Sequence, residues 1–364
     1  MSNTKKLRIA VNGVGRIGRA FLKLAEENPQ LEVIAVNDLG SVENIAYLLK
    51  YDSAYGKSDL DIKVENGFLS INGREIKYLS EKDPKNLPWG SLDIDVVVES
   101  TGVFNSYEKS NAHIEAGAKR VVITAPVKDK TQNTNSKDDQ TENKTQMTDT
   151  PNYGFIGATV LMGINEDDLK KCKISSNASC TTNAGSPVLE ILRKEIGIEK
   201  AMLNTIHGYT ATQKMVDSPS EKDFRKGRAG AQNIIPSTTG AAVATTQVIT
   251  DLKGNFDGIA VRVPVISGSI LDITFIAKRN TTVEEINNIL KKASEDPNWK
   301  NLFAITEEPI VSSDIVGSRF ASIADLAFTR VVGGNLVKVL AWYDNEMGYT
   351  SALVRHVLSA GRNL

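Results

Sequence analysis

The opening stretch "KLRIAVNGVGRIGRAFLKLAEENPQLEVIAVND" switches between two periods. Leu7 to Val11 form a mostly apolar run with β-branched residues, and Leu31 to Val36 form another. Between them Ile17, Phe21, Leu22, Leu24 and Ala25 recur at helical spacing. The pattern predicts strand, glycine-rich turn, helix, strand. Further on, "NIAYLLKY" predicts a helix. "KVENGFLSINGREIKYL" alternates apolar residues around two Asn-Gly turn signals, which predicts a small antiparallel patch. "IDVVVES" and "RVVIT" are short strands with the helical "SYEKSNAHIEAGA" between them. Repeated β-α-β units give an α/β class: a parallel sheet with helices on its faces.

The texture then breaks. Residues 128 to 152, "KDKTQNTNSKDDQTENKTQMTDTPN", hold one apolar side chain, Met147. Such a segment cannot bury enough surface to offset the entropy of ordering it, so it reads as an inserted surface loop. After Cys180 come longer apolar strands, "AMLNTIH", "GIAVRVPV", "SILDITFIAK" and "NLVKVLAWYD", with little helix between them. They predict a second, mostly antiparallel sheet. "TTVEEINNILKKASED" and "TSALVRHVLSAG" read as amphipathic helices. No internal repeat is visible.

Bulk properties mainly exclude. The chain has 364 residues, room for two domains, and its formal net charge is −1. A near-neutral balance without a basic run carries no footprint for nucleic acid or an anionic membrane. No apolar run is long enough to span a bilayer and the N-terminus lacks a secretory pattern, so a cytoplasmic protein is expected. Two cysteines, Cys172 and Cys180, are too few for a disulfide framework. No metal is expected.

Gly13, Gly15 and Gly18 make G-x-G-x-x-G between a strand and a helix. The first permits the tight turn, the second lets a pyrophosphate approach, and the third lets helix and strand pack closely. The helix N-terminus offers free N–H groups and a positive dipole end. Asp38 ends the second strand, where a carboxylate holds a ribose 2′-hydroxyl and repels a 2′-phosphate. NAD is therefore expected over NADP.

In "SNASCTTN", Cys180 stands among small hydroxyl and amide side chains at the start of a predicted helix, where N–H groups stabilise a thiolate. Pro187 must lie in the first turn of that helix or bend it. Ser179, Thr181 and Thr182 are small donors suited to an anion or a polarised carbonyl. Cys172, between lysines, fits a buried inert thiol. A nucleophilic cysteine needs a base, and there are three histidines. His113 sits on a predicted surface helix and His356 beside Arg355, both read as structural or solvated. His207 ends a strand and enters a loop, which makes it the best partner for Cys180. Downstream, "TATQKMVDSPSEKDFRKGR", "IIPSTTGAA" and "AVRVP" supply the hydroxyls, backbone turn and arginines of phosphate recognition.

Taken in order, "NGVGRIGR", "VND", "DPKNLPW", "VVVESTG", "SNASCTTN", "HGYTATQK", "NIIPSTTGAA", "VRVP" and "WYDNEMGY" resemble the phosphorylating, glycolytic glyceraldehyde-3-phosphate dehydrogenases over nearly the whole chain outside 128 to 152. The resemblance implies a Rossmann-type NAD-binding domain over 1–179, rejoined by a C-terminal helix at 346–364, and an α+β catalytic domain over 180–345. It implies Cys180 as nucleophile and His207 as its base. It places Thr210 and Arg262 at the substrate phosphate, and Ser179, Thr181, Arg228, Thr239 and Gly240 around inorganic phosphate or a second anion pocket. Arg16, Ile17, Asp38, Lys82, Thr124 and Asn345 match NAD contacts. It further implies glyceraldehyde 3-phosphate and inorganic phosphate as reactants, a thioester intermediate and a homotetramer. Lys82 stands where many members carry Arg, Ala184 where many carry a second Cys, Gly208 for a common Ser and Met347 for a common Trp. The Gly208 exchange leads one to expect a looser loop. A sister activity, erythrose-4-phosphate dehydrogenase, usually lacks "GYTATQ" and "STTGAA", both present here. A homologue kept only for binding fits poorly with an intact Cys180 and His207.

Overall fold

The computed structural model describes residues 5–127, 157–221 and 223–364. The polar insertion expected at 128–152 lies outside them. β1 (Leu7–Asn12), α1 (Arg16–Glu26) and β2 (Leu31–Asn37) form where the apolar periods predict. α2 (Val42–Lys50) starts at Ser41, whose hydroxyl accepts from Asn44 N at 3.3 Å. A short ribbon follows, β3 (Tyr51–Asp52) and β4 (Gly56–Lys57). β5 (Ile62–Glu65), β6 (Phe68–Ile71) and β7 (Arg74–Leu79) pair antiparallel as expected. Both Asn-Gly turns carry positive φ at each residue: Asn66 50°, Gly67 81°, Asn72 51° and Gly73 76°.

β8 (Val96–Glu99), α3 (Tyr107–Glu115), β9 (Arg120–Ile123), β10 (Gly157–Thr159) and β11 (Ile174–Ser176) complete the first sheet, in the order β10-β11-β9-β8-β1-β2-β7-β6-β5. The strands from β10 to β7 in that order run parallel. β1 lies between β2 and β8, so the strand order reverses beside it. Its C-terminal end is the switch point at which such sheets bind ligands.

α4 (Cys180–Glu195) leads into β12 (Ile198–Gly208) through Gly197, whose φ of +72° closes the helix. Then come β13 (Ile235–Thr238), α5 (Ala241–Val248), β14 (Phe256–Val263), β15 (Ser269–Ala277), α6 (Val283–Glu295), β16 (Phe303–Thr306), α7 (Ser312–Ile315), β17 (Ser322–Val332), β18 (Leu336–Tyr343) and α8 (Met347–Gly361). The second sheet has the order β13-β14-β12-β15-β18-β17-β16. β12/β14 and β16/β17 are parallel and the other pairs antiparallel, so the sheet is mostly antiparallel as predicted.

The structure revises several local expectations. α5, β16 and β17 were not predicted. β17 lacks clean alternation because its register shifts between Asp325 and Arg330. Pro187 lies well inside α4 rather than in its first turn, so Asn183 O has no helical N–H to accept from. His113 is on no surface: it is fully buried, as is His356. α8 crosses back onto the first sheet, packing on α1, β8 and β9. Arg120 helps hold its end by donating to Asn363 O, besides Cys172 O at 2.6 Å and Leu169 O at 2.9 Å.

Candidate active site

β11 runs straight into the segment that carries the cysteine. Ala178, with φ +53°, turns the chain sharply through a conformation L-residues avoid. It is held there: Ser176 Oγ accepts from Ala178 N at 3.0 Å, and Tyr349 Oη donates to Ala178 O at 3.1 Å. Asn183 Nδ2 reaches back to Asn177 O at 2.7 Å and Ser179 O at 2.9 Å. Ser179 then caps α4, its hydroxyl accepting from Thr182 N at 3.1 Å. Cys180 is the first residue of the helix.

His207 approaches from the end of β12. Its Nε2 lies 3.4 Å from Cys180 Sγ. Arg262, the register partner of His207 on β14, sets Nη1 2.5 Å from His207 Nδ1 and 3.0 Å from Gly208 O. Nδ1 also lies 2.7 Å from Gly208 O. Nδ1 therefore faces both a donor and an acceptor and serves one at a time. With its proton directed to Gly208 O, it leaves the Nε2 lone pair facing the thiol.

The electrostatics favour an uncharged resting pair. Burial pushes the His207 imidazole down to about 3, the Arg262 charge adds to this, and the Gly208 carbonyl opposes it. Desolvation also pushes the Cys180 thiol up. The Arg262 charge and the Thr181 hydroxyl and N–H pull it back only in part, so the helix-end stabilisation expected for a thiolate is outweighed in the ligand-free chain. Cys172, the buried alternative, is pushed up to about 11 by desolvation, and its thiol donates to the backbone carbonyl of Asp168 at 3.4 Å.

The glycine-rich turn fits a dinucleotide. A Cβ on Gly13, whose φ is +92°, would meet Thr101 N at 2.7 Å, and one on Gly18 would run into Gly13 O. One on Gly15 would meet nothing within 4 Å. Gly15 thus faces open space at the uncapped N-terminus of α1, which has no acidic residue in its first turn. Asp38 lies alongside, accepting from Val14 N at 2.7 Å and Gly40 N at 2.9 Å.

Two known protein families cover this architecture. Residues 7–107 match "Glyceraldehyde 3-phosphate dehydrogenase, NAD binding domain", and residues 179–345 match "Glyceraldehyde 3-phosphate dehydrogenase, C-terminal domain". The chain belongs to the glyceraldehyde-3-phosphate dehydrogenase family. It is 44% identical over 353 residues to glyceraldehyde-3-phosphate dehydrogenase of Clostridium pasteurianum, covering 96% of each chain. It is 42% identical over 350 residues to that of Geobacillus stearothermophilus, 96% of each, and 45% over 350 residues to that of Thermotoga maritima, 95% and 97%. The protein is accordingly an NAD-dependent glyceraldehyde-3-phosphate dehydrogenase, with NAD as its cofactor.

The remaining candidates of the dehydrogenase are variously placed. Asn345 is buried where β18 meets α8, accepting from Ser269 Oγ at 3.0 Å. Arg16 is tied to Asp52 at 2.7 Å and to Glu346. Ile17 packs on the core, Thr124 follows β9 and is half-buried, and Lys82 is exposed just after β7. Thr210 follows β12, its hydroxyl 2.9 Å from that of Thr212. The Thr181 hydroxyl turns inward to Tyr343 Oη at 3.1 Å. Arg228 is exposed and paired with Asp217 at 2.7 Å, with no contact to Cys180 among the described hydrogen bonds. Thr239 and Gly240 open α5, whose Ala244 joins the apolar cluster of Ala178. Gly208 ends β12 close to the next turn: a Cβ there would meet Val265 O at 2.9 Å.

Two supports of the site carry no local signal. Tyr343 Oη sits between the hydroxyls of Thr181 and Thr205, at 3.1 and 2.8 Å, with its ring edge-on to His207. Beneath the glycine turn, buried Glu99 accepts from Asn12 Nδ2 at 2.6 Å, Thr101 N at 2.9 Å and His113 Nε2 at 2.9 Å. Trp89 Nε1 donates to His113 Nδ1 at 3.0 Å, which puts the ring proton on Nε2.

Proposed function

We propose that the enzyme oxidises D-glyceraldehyde 3-phosphate with reduction of NAD and transfers the acyl group to inorganic phosphate, giving 1,3-bisphosphoglycerate, the phosphorylating reaction of glycolysis. The observation that carries this is the Cys180–His207 pair at 3.4 Å with Arg262 behind the ring. Cys180 Sγ passes its proton to His207 Nε2 and adds to the aldehyde carbon, and Nε2 returns that proton to the new alkoxide, giving a thiohemiacetal and a neutral imidazole. His207 then takes the hydroxyl proton of that adduct, and N–H groups at the start of α4 hold the developing oxyanion. NAD, when bound, supplies the hydride acceptor. Gly13, Gly15, Arg16, Ile17, Gly18, Asp38, Lys82, Thr124 and Asn345 would hold it. Cys180 keeps the acyl group as a thioester, which phosphate cleaves.

Thr210 and Arg262 would take the substrate phosphate. An anion drawing Arg262 off Nδ1 leaves Gly208 O free to accept the Nδ1 proton, which readies Nε2 as a base. Ser179, Thr181, Arg228, Thr239 and Gly240 would serve the attacking phosphate. We take the domains as 1–179 with 346–364, and 180–345, in a cytoplasmic homotetramer. No described helix is long and apolar enough to cross a membrane.

The test is NADH absorbance with and without inorganic phosphate. Sustained turnover should need phosphate, with one stoichiometric burst in its absence. Cys180→Ser should abolish turnover, and His207→Asn should lower kcat by roughly 10²–10⁴. Full steady turnover without phosphate, or an active Cys180→Ser variant, would refute the thioester route.

A further inference from the structure

We propose that Ser269 is a positioning residue that fixes which end of the Asn345 amide faces the cofactor. Ser269 opens β15 and is buried. Its hydroxyl accepts from Gly208 N at 3.2 Å and lies 3.0 Å from the Asn345 side chain. A serine hydroxyl has one proton to donate. The Gly208 N–H occupies one of the hydroxyl's two acceptor positions, and the hydroxyl proton is directed to Asn345 Oδ1. The Asn345 atom facing Ser269 is the oxygen, and the NH2 end is turned the other way. Ser267 also lies near that oxygen, at 3.4 Å, but its hydroxyl is closer to Asp344 Oδ1, at 3.1 Å. Ser269 is thus the main group holding the orientation.

The position is well suited to this. Ser269 is the register partner of Tyr343, two residues before Asn345, and β12 ends at Gly208 beside it. One hydroxyl links the residue after His207 to the residue read above as an NAD contact, and the inference rests on that reading. With NH2 presented, Asn345 would donate to an acceptor oxygen of the bound cofactor. Freed of Ser269 it rotates between two ends, one of which opposes that oxygen with another oxygen.

The experiment is a double-mutant cycle on the full enzyme, reading KM for NAD and kcat separately. Ser269→Ala should raise KM for NAD about tenfold, the effect of stranding buried polar groups. On an Asn345→Ala background the same change should add almost nothing. Equal factors in both backgrounds, an unchanged KM, or a fall in kcat alone would overturn the inference while leaving Asn345 in its role. An Asn345→Ala enzyme with ordinary KM for NAD would remove that role and the inference with it. If Ser269→Ala does not fold, Ser269→Cys, a weak donor of similar shape, is read by the same criteria.

Discussion

His356 should make this enzyme acid-labile in a way one substitution can isolate. It lies fully buried in α8, 2.8 Å from Ser175 Oγ and 3.1 Å from Asn177 Oδ1. Burial pushes its imidazole down to about 3. An unfolded histidine titrates near 6.5. The folded value is the lower one, so the unfolded chain binds more protons as pH falls. The contribution of His356 is complete above about pH 6.5 and drains away as pH drops towards the folded value. Between pH 7 and 5 the loss from this one group is about 2 kcal/mol. His356→Gln removes the titration and imposes a packing cost that does not vary with pH. Urea midpoints at both pH values and one protein concentration should show the stability gap between the two proteins shrinking by about 2 kcal/mol at the lower pH. His207 titrates in both proteins and cancels. Parallel pH dependences would refute the reasoning. The damage would fall on Ser175 and Asn177, which lead directly to Cys180.

The glycine turn offers a paired test. Gly15→Ala meets no protein atom, so urea stability should hold while KM for NAD rises at least tenfold; Gly18→Ala runs into Gly13 O and should lower stability by about 1–3 kcal/mol. Tyr343→Phe strands the hydroxyls of Thr181 and Thr205 and should cost about 1–3 kcal/mol in urea unfolding. Trp89→Phe leaves His113 Nδ1 without its donor and should cost a similar amount by the same assay, with Cys180 alkylation rates unchanged.

Local chemistry was legible where it is written locally. The Asn66-Gly67 and Asn72-Gly73 turns, the three glycines and the short apolar strands each state their geometry in a few residues, and the chain follows them. Cys180 and His207 could be paired because the sequence offers so few alternatives. What joins them could not be read. Arg262 reaches His207 through a parallel strand pairing 55 positions away. Ser269 reaches Asn345 across 76. Such contacts follow from sheet order, which no local pattern encodes. The burial of His113 was hidden for a related reason: its polar neighbours come from Glu99 and Trp89, on other elements. Pro187 shows the reverse, a local rule overridden because buried packing along α4 outweighs one lost helical hydrogen bond.

The return of α8 to the first sheet has a consequence in time. A ribosome delivers β1, α1 and the glycine turn early, yet the helix that covers them and braces Arg16 through Glu346 comes more than 300 residues later. Until then α1, β8 and β9 keep an uncovered apolar face, and the second sheet must be threaded out before it can close. While the second sheet is being made, the growing chain therefore carries the glycine turn on a half-covered domain, and the cofactor site is braced only after α8 has been added.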